Sequence, residues 1–452
     1  MGVRRTTLAL LMAGLMLLLA GCGAGGGAPD SGSGGGVSLT IWADDKYSRA
    51  IKESAAKWGE ANDVQVNVQA ISKDLQTVFV TAAQAGKGPD LVMGAHDWIG
   101  NLVQNGTIDP LQLTDDTRAA FDPLAIKGVT YNGQIYGIPY AIENVVLFRN
   151  TDLAPETPRT MEELVAKGKE LKAAGKVSEI MALPVGPNGD AYHMYPIYTS
   201  AGGYLFGKTA EGDYNPKDLG LAKPEAAKAF EKIRELGEKG DGALKRSISS
   251  DNVTSIFTGK KTAFMLSGPW QIPDVQKSGV KYAISPIPGF QGGQQARPFV
   301  GVQAMYVASK GRFKSLAQEF ATNYFIQPEV ALSLYRADKR PPPLKAAFAE
   351  VSKSDPDMAR ILQAGKDGDV MPAIPEMATV WDPLGKAQSA VVGGAPAARR
   401  WRPRPRRSKG RSSREADMAQ GTQAPVEAGG PSRATAQQPA SGAGRARPPP
   451  PA

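Results

Sequence analysis

VSLTIWADDKYSRAIKESAAKWGEANDVQVNV, residues 37–68, sets two strands around one helix. Val37 to Trp42 reads as a strand that runs into Ala43-Asp44-Asp45-Lys46. Ser48 to Asn62 has helical apolar spacing, and Val64-Gln65-Val66-Asn67-Val68 alternates as a second strand. The pattern continues with a helix over Gln76–Ala85 and the turn Gly86-Lys87-Gly88-Pro89-Asp90, which leads into the strand Leu91-Val92-Met93. This β-α-β-α-β order predicts a parallel sheet with helices on both faces. Such sheets bind ligands at the carboxyl ends of their strands. Those ends carry Asp45-Lys46 and His96-Asp97-Trp98.

On the N-terminal side, Arg4-Arg5 and the apolar run Leu8–Leu19 have the form of an export signal. The run is too short for a comfortable membrane span. Leu19-Ala20-Gly21-Cys22 resembles a bacterial lipobox, in which cleavage before the cysteine exposes its sulfur to a diacylglycerol. Cys22 is the single cysteine of the chain, so it has no disulfide partner within it. These features predict a signal over 1–21 and a lipid anchor at Cys22. A flexible Gly/Ser tether is expected over 22–36.

On the C-terminal side, Tyr131-Asn132-Gly133-Gln134 is a hairpin signal. Ile138–Glu143 leads into the strand Val145–Phe148, read as a first crossing into a second α/β lobe. Helices are expected over Glu162–Ala174, Pro224–Lys239 and about Asp251–Thr258. Phe257–Trp270, FTGKKTAFMLSGPW, then closes a helix at a glycine, forms the buried strand Thr262–Leu266 and delivers Trp270 to its C-terminal end. Trp270 is either a core residue or a flat apolar face with one N–H donor at a ligand site. Tyr282–Ile287 is a further strand, Pro298–Val302 with Met305–Val307 a return crossing, and Ala317–Tyr335 a helix. Met371–Met377 precedes Trp381 on a last helix.

The chain of 452 residues is 42% hydrophobic and 21% charged, which suits a folded protein of two sizeable domains. Its formal charge of +9 is confined to the tail. From Arg399 onward, eleven arginines and Lys409 face Glu415, Asp417 and Glu427, so residues 1–398 are balanced. The body therefore offers no basic patch for nucleic acid. Residues 395–452, rich in Arg, Pro, Ala and Gly, are expected to be disordered. Their composition is what a reading-frame shift in a G+C-rich gene would generate, and such a shift would leave an apolar face of the body uncovered.

Taken in one order, several motifs resemble the maltose/maltodextrin-binding family of extracellular solute-binding proteins, the receptors of ATP-binding-cassette importers. They are Gly86-x-Gly88-Pro89-Asp90, Ala95-His96-Asp97, Asn132-Gly133-x-x-Tyr136-x-x-Pro139, and Phe257-x-x-Gly259-Lys260 running to Gly268-Pro269-Trp270. Pro298–Val302 and Met371-Pro372-x-Ile374-Pro375-x-Met377 complete the set, and the resemblance spans roughly Leu39 to Val392. It implies an α/β, two-lobe periplasmic-binding-protein fold of type II, with hinge-linked lobes around a sugar cleft. The expected lobes are 37–142 with 303–345, and 143–302 with 346–394.

The resemblance places sugar contacts on Asp45, Lys46, Asp97, Glu143, Tyr192, Trp270 and Trp381, with Trp98, Asp190 and His193 beside them. Carboxylates suit sugar hydroxyls and aromatic faces suit pyranose rings. Gly94 stands where the family pattern has a stacking Trp, Trp98 where a basic residue is frequent, Asp190 where it has Glu, and His193 at an aromatic position. The resemblance thus implies a monomeric, non-enzymatic receptor on the outer face of the cell membrane, held by Cys22. It would bind maltose or maltodextrin, or another oligosaccharide such as trehalose or a cyclodextrin, and serve the membrane subunits of an importer. No cofactor, metal or nucleic acid is implied.

Three other classes compete. A glycoside hydrolase also pairs carboxylates with aromatic platforms, but no carboxylate here is marked as a buried acid. With His96 and His193 the only histidines, no Ser/His/Asp order or zinc cluster is evident in the sequence. A polyanion binder would rest on the tail alone. An adhesin would leave the aromatic and acidic residues without a task.

Overall fold

The computed structural model describes residues 37–397. The expected signal over 1–21, the tether with Cys22, and all but the first residues of the 395–452 tail lie outside the described residues.

Strand β1 (Ser38–Ala43) lies between β2 (Gln65–Ala70) and β3 (Leu91–Ala95), parallel to both, as the opening stretch predicts. The helix Asp45–Asn62 between β1 and β2 starts where the Asp44 carboxylate accepts the N–H groups of Lys46 and Tyr47. It buries Tyr47, Ile51, Ala55 and Trp58, one helical stripe, against the sheet. β4 (Thr130–Tyr131) and β5 (Gln134–Ile135) form the expected hairpin. Its Asn132 and Gly133 both adopt left-handed φ, 49° and 75°, the requirement of a two-residue turn matched to strand twist.

β6 (Gly137–Asn144) is buried throughout, and Val145 alone separates it from β7 (Val146–Asn150). The chain thus leaves one sheet and enters another across a single residue. β8 (Phe206–Lys208) and β9 (Tyr214–Leu219) make a peripheral hairpin, while β10 (Phe264–Ser267) and β11 (Tyr282–Ser285) flank β7 antiparallel to it. β12 (Phe299–Val307) returns to the larger sheet, antiparallel to β3 on one edge and to β6 on the other. It is one strand with an irregularity at Gln303/Ala304 rather than two pieces. β13 (Asp369–Val370) pairs with the start of β12, so a strand from the 346–394 span also joins the larger sheet.

Alternation along these strands builds separate cores and gives a two-lobe α/β fold. Leu91, Met93, Met305 and Val307 face one side of the larger sheet, and Val92, Ala304 and Tyr306 the other. In the smaller sheet Leu147, Phe264 and Leu266 oppose Val146, Phe148, Met265 and Ile284.

Two expectations fail. The helix read over Ala317–Tyr335 is interrupted by a π-turn at Phe320–Tyr324 and restarts at Pro328–Ala337. Pro328 is the reason, because it forces Gln327 into an extended conformation (φ −69°, ψ 141°) and can only begin a helix. The uncovered apolar face is not found among the described residues, where the exposed large hydrophobics are Val37 and Val78. The helix Trp381–Val392 is tied down instead, with Leu384, Val391 and Val392 buried and the Glu238 N–H donating to the Val392 carbonyl at 2.9 Å. Among the described residues no helix is long and apolar enough to cross a membrane.

Candidate functional site

The carboxyl ends of β3 and β10 and the carboxyl-terminal part of β6 converge on a cavity of about 390 Å³, a volume typical of small-ligand sites. From the larger-sheet side come Asp97, in the 3₁₀ turn after β3, and Glu143 on β6. From the smaller-sheet side come Trp270, in the turn after β10, Tyr192 on the helix Ala191–Ser200, and Trp381 at the head of the last helix. These are five of the ten expected contacts. Arg340 and Met371 complete the lining, and neither is among those expected.

The rings form one wall. Trp270 lies 6.1 Å from Tyr192, which faces Phe299 at 6.3 Å; Phe299 in turn meets the edge of Trp381 at 5.7 Å. Tyr195 stacks on Phe299 from behind at 3.5 Å. The Tyr192 hydroxyl is buried and has no hydrogen-bond partner among the described residues. Burial without a partner is costly, so this hydroxyl is a polar group of the ring wall that the protein itself leaves unused.

Opposite the rings stand the charges. Glu143 accepts from Gln303 Nε2 at 3.1 Å and from Arg340 Nε. Arg340 also donates through Nη1 to Tyr47 Oη at 3.0 Å and pairs with the wholly buried Asp338. Its guanidinium lies over the Trp270 ring, 5.3 Å from the centroid. Burial opposes the Arg340 charge, but Glu143, Tyr47 and Tyr140 together outweigh it and hold the guanidinium ionised. Asp97 accepts from Trp381 Nε1 at 3.2 Å. Burial pushes its carboxyl up to about 6, against the pull of that N–H.

His96, beside Asp97, is fully buried at the end of the larger sheet. Its Nδ1 accepts the Val302 N–H at 3.0 Å, which leaves Nε2–H to donate to the Met371 carbonyl at 3.0 Å. Both bonds need the neutral ring, and burial takes its pKa down to about 4. His96 therefore pins β12 to the segment after β13.

The other expected contacts have local tasks. Asp45 is exposed and accepts from Ser72, and Lys46 reaches Asp338 at 2.9 Å; neither lines the cavity. Trp98 lies flat against Gly94, where an added β-carbon would stand 2.1 Å from its ring. The ring at 98 thus takes space that a side chain at 94 would fill. Asp190 caps its helix through the His193 N–H at 3.0 Å and holds His193 Nδ1 at 2.7 Å. His193 backs the ring wall, edge-on to Trp270 at 5.7 Å. Its Nε2 faces Ser267 Oγ at 3.5 Å, so space does contain the Asp–His–Ser order that the sequence hides. It is not a nucleophile site, because Ser267 is wholly buried and the contact is long. Among the described residues no group of three or more His, Cys, Asp or Glu is arranged for a metal. A depression of about 510 Å³ lined by Arg159, Thr160, Glu162, Glu163, Ala166 and Gln291 is larger but carries no ring and no buried acid.

A family model described as bacterial extracellular solute-binding protein matches residues 53–360. The chain belongs to this family. Its members are binding proteins, and this extracellular solute-binding protein is accordingly not an enzyme. The chain is 28% identical over 400 residues to the galactooligosaccharide-binding protein of Bacillus subtilis (strain 168), covering 86% of this chain and 93% of that protein. It is 29% identical to the maltotriose-binding protein of Pyrococcus abyssi (strain GE5 / Orsay), over 70% of this chain and 68% of that one. It is 25% identical to a maltooligosaccharide ABC transporter solute-binding lipoprotein of Streptococcus pneumoniae (strain ATCC BAA-255 / R6), over 85% and 90% of the two chains.

Proposed function

We propose that this solute-binding protein is the receptor of an ATP-binding-cassette importer for a neutral oligosaccharide of the maltodextrin type. The observation that carries the reading is the buried, unpartnered Tyr192 hydroxyl, set among the Trp270 and Trp381 rings and facing Asp97 and Glu143. Pyranose faces lie against the rings, while their hydroxyls donate to the carboxylates and accept from Tyr192. The expected lobes are 37–142 with 303–345 and 143–302 with 346–394, adjusted so that Glu143 and Asn144 of β6, β12 from Phe299 and β13 go with the first, whose sheet they join. Because the ligand touches both, it favours the closed state by its differential affinity. The closed form is what the importer's membrane subunits would recognise. The receptor acts as a monomer, without a cofactor, and Cys22 carries the lipid that holds it outside the membrane.

A galactooligosaccharide is the second reading, supported by the Bacillus relative. Calorimetric titration of residues 23–452 with maltose, maltotriose, trehalose, a cyclodextrin and β-1,4-galactotriose separates the two. One-to-one binding of the α-linked glucose series supports the first and binding of the galactotriose the second. Silence from every sugar with a folded sample refutes both. Mass spectrometry of the membrane-associated protein, against Cys22→Ala, tests the anchor.

A further inference from the structure

Among the residues lining the cavity one is a cation, and its setting is unlike that of a charge that merely balances an acid. Arg340 follows the helix Pro328–Ala337, and its guanidinium is fixed on three sides. Nε is taken by Glu143, Nη1 by Tyr47 and Asp338, and one flat face by the Trp270 ring. Asp338 is itself held by the Tyr47 hydroxyl at 2.9 Å and by Lys46 at 2.9 Å. Five donors on a planar fork are thus largely assigned, and Nη2 is the nitrogen left without a protein acceptor among the described residues. Arg340 lines the cavity, so this donor edge is what it offers a ligand.

Two further features bear on what that ligand is. Lys46 and Arg340 balance Asp338 and Glu143, so the network is neutral as a whole, and among the lining residues Asp97 adds the one unmatched charge. An anionic ligand would meet Asp97 with no free cation in the lining to compensate, and a cationic one would have to compete with Arg340 for Glu143. A neutral ligand escapes both costs. Moreover, Glu143 Oε1 and Oε2 and the Arg340 fork stand side by side, an acceptor next to a donor. Two adjacent hydroxyls on one sugar ring match that pair, one oxygen accepting from Nη2 while its neighbour's proton goes to Glu143. A guanidinium already locked in place loses little freedom on making such a bond.

We propose that Arg340 is a specificity-determining contact that, with Glu143, reads a vicinal hydroxyl pair on the sugar unit lying beside Trp270. This rests on the oligosaccharide reading of the cavity and says which part of the ligand is inspected there. It also assigns Asp338, Tyr47 and Lys46 the task of positioning the fork.

The test is calorimetry on Arg340→Lys and Arg340→Met with maltotriose, β-1,4-galactotriose and the monodeoxy derivatives of whichever binds. A bond from a charged donor predicts a loss of about 10-fold to 100-fold in affinity for Arg340→Lys. Wild type should lose a similar factor when one of two adjacent hydroxyls is absent, and the variants should be indifferent to that same deletion. Equal weakening across all derivatives would assign Arg340 a purely structural role and overturn the proposal. So would unchanged affinity, with the oligosaccharide reading left standing. Wild type that binds neither sugar overturns both. If Arg340→Met fails to fold, Arg340→Lys, which keeps the charge beside Glu143 and Asp338, decides the matter with the deoxy series.

Discussion

A single added methyl group distinguishes the tryptophan that serves the cavity from the one that packs beside it. Gly268 has φ −108°, open to any L-residue, so Gly268→Ala introduces no backbone strain. Its β-carbon would stand 2.1 and 2.2 Å from two carbons of the Trp270 ring. Carbon contacts settle at about 3.5–4.0 Å, so the ring must retreat by roughly 1.4 Å from its 2.1 Å approach. Retreat is obstructed by Arg340 over the ring and by Tyr192 and His193 beside it. Overpacking of this kind costs about 1–3 kcal/mol of stability. Binding suffers separately, since a displaced ring loses its stacking and disturbs the guanidinium, together about 1–2 kcal/mol or roughly 5-fold to 30-fold in Kd. Gly94→Ala makes the same 2.1 Å collision, but with Trp98, which does not line the cavity. It should cost similar stability and leave Kd within about twofold. Thermal melts and titration with maltotriose measure both effects on each variant. The reasoning is refuted if Gly268→Ala binds like wild type while Gly94→Ala does not, because the ligand would then sit against Trp98.

Buried polar groups supply the remaining predictions. Asp97, held at about 6, keeps a proton in the folded state that the unfolded chain releases near 3.8, so it lowers stability as pH rises from about 4 to 6. His96 does the reverse: at about 4 it refuses a proton that the unfolded ring accepts near 6.5, so stability falls as pH drops through the same window. The two slopes offset each other in wild type. Asp97→Asn should therefore lose stability more steeply on acidification from pH 6 to 4, and its sugar affinity should lose the rise between pH 5 and 7 that an ionising acceptor gives. A variant with the wild-type stability slope would sink the argument. Gln388 is fully buried with both amide atoms unpartnered among the described residues. Gln388→Leu, of similar size, should be more stable by about 1–3 kcal/mol, seen as a raised melting temperature. A lowered one would mean that the amide is hydrogen-bonded through water.

The framework was legible because strand alternation and helical spacing are local. Leu91, Val92 and Met93 face alternate sides as their neighbours in sequence dictate, and Asn132-Gly133 turns as its own φ preferences require. Asp97 and Trp270 could likewise be placed at strand ends, whereas Glu143 came from the family resemblance; all three line the cavity. What could not be read is which polar atoms remain free once nearby bonds form. Asp190 is spent on its helix cap and on His193, and Asp45 on Ser72, two local bonds that acidic side chains near turns readily make. Arg340 is hidden for the opposite reason. In Lys339-Arg340-Pro341 it has the look of a solvated loop charge, and its burial depends on Tyr47 and Glu143, partners remote in sequence that only the fold brings near. A weak signal is present in Asp338, an acid two residues upstream that has no helical reason to be there.

The contacts across the cavity also bear on how such a receptor would respond to its ligand. Trp381 donates to Asp97, and Arg340 lies on Trp270, so the two sides already bind each other through groups that the proposal assigns to the sugar. A ligand shifts closure only by what it adds beyond the contacts it replaces. Exchanging the Trp381 bond to Asp97 for a sugar hydroxyl is nearly neutral, one hydrogen bond for another. The net gain must come from atoms the closed protein leaves unmatched, the Tyr192 hydroxyl and Arg340 Nη2, and from apolar ring area removed from water. The gain on closure therefore comes chiefly from a few unpartnered donors, with the acids, most of whose oxygens the protein already occupies, acting beside them as Glu143 does beside Arg340.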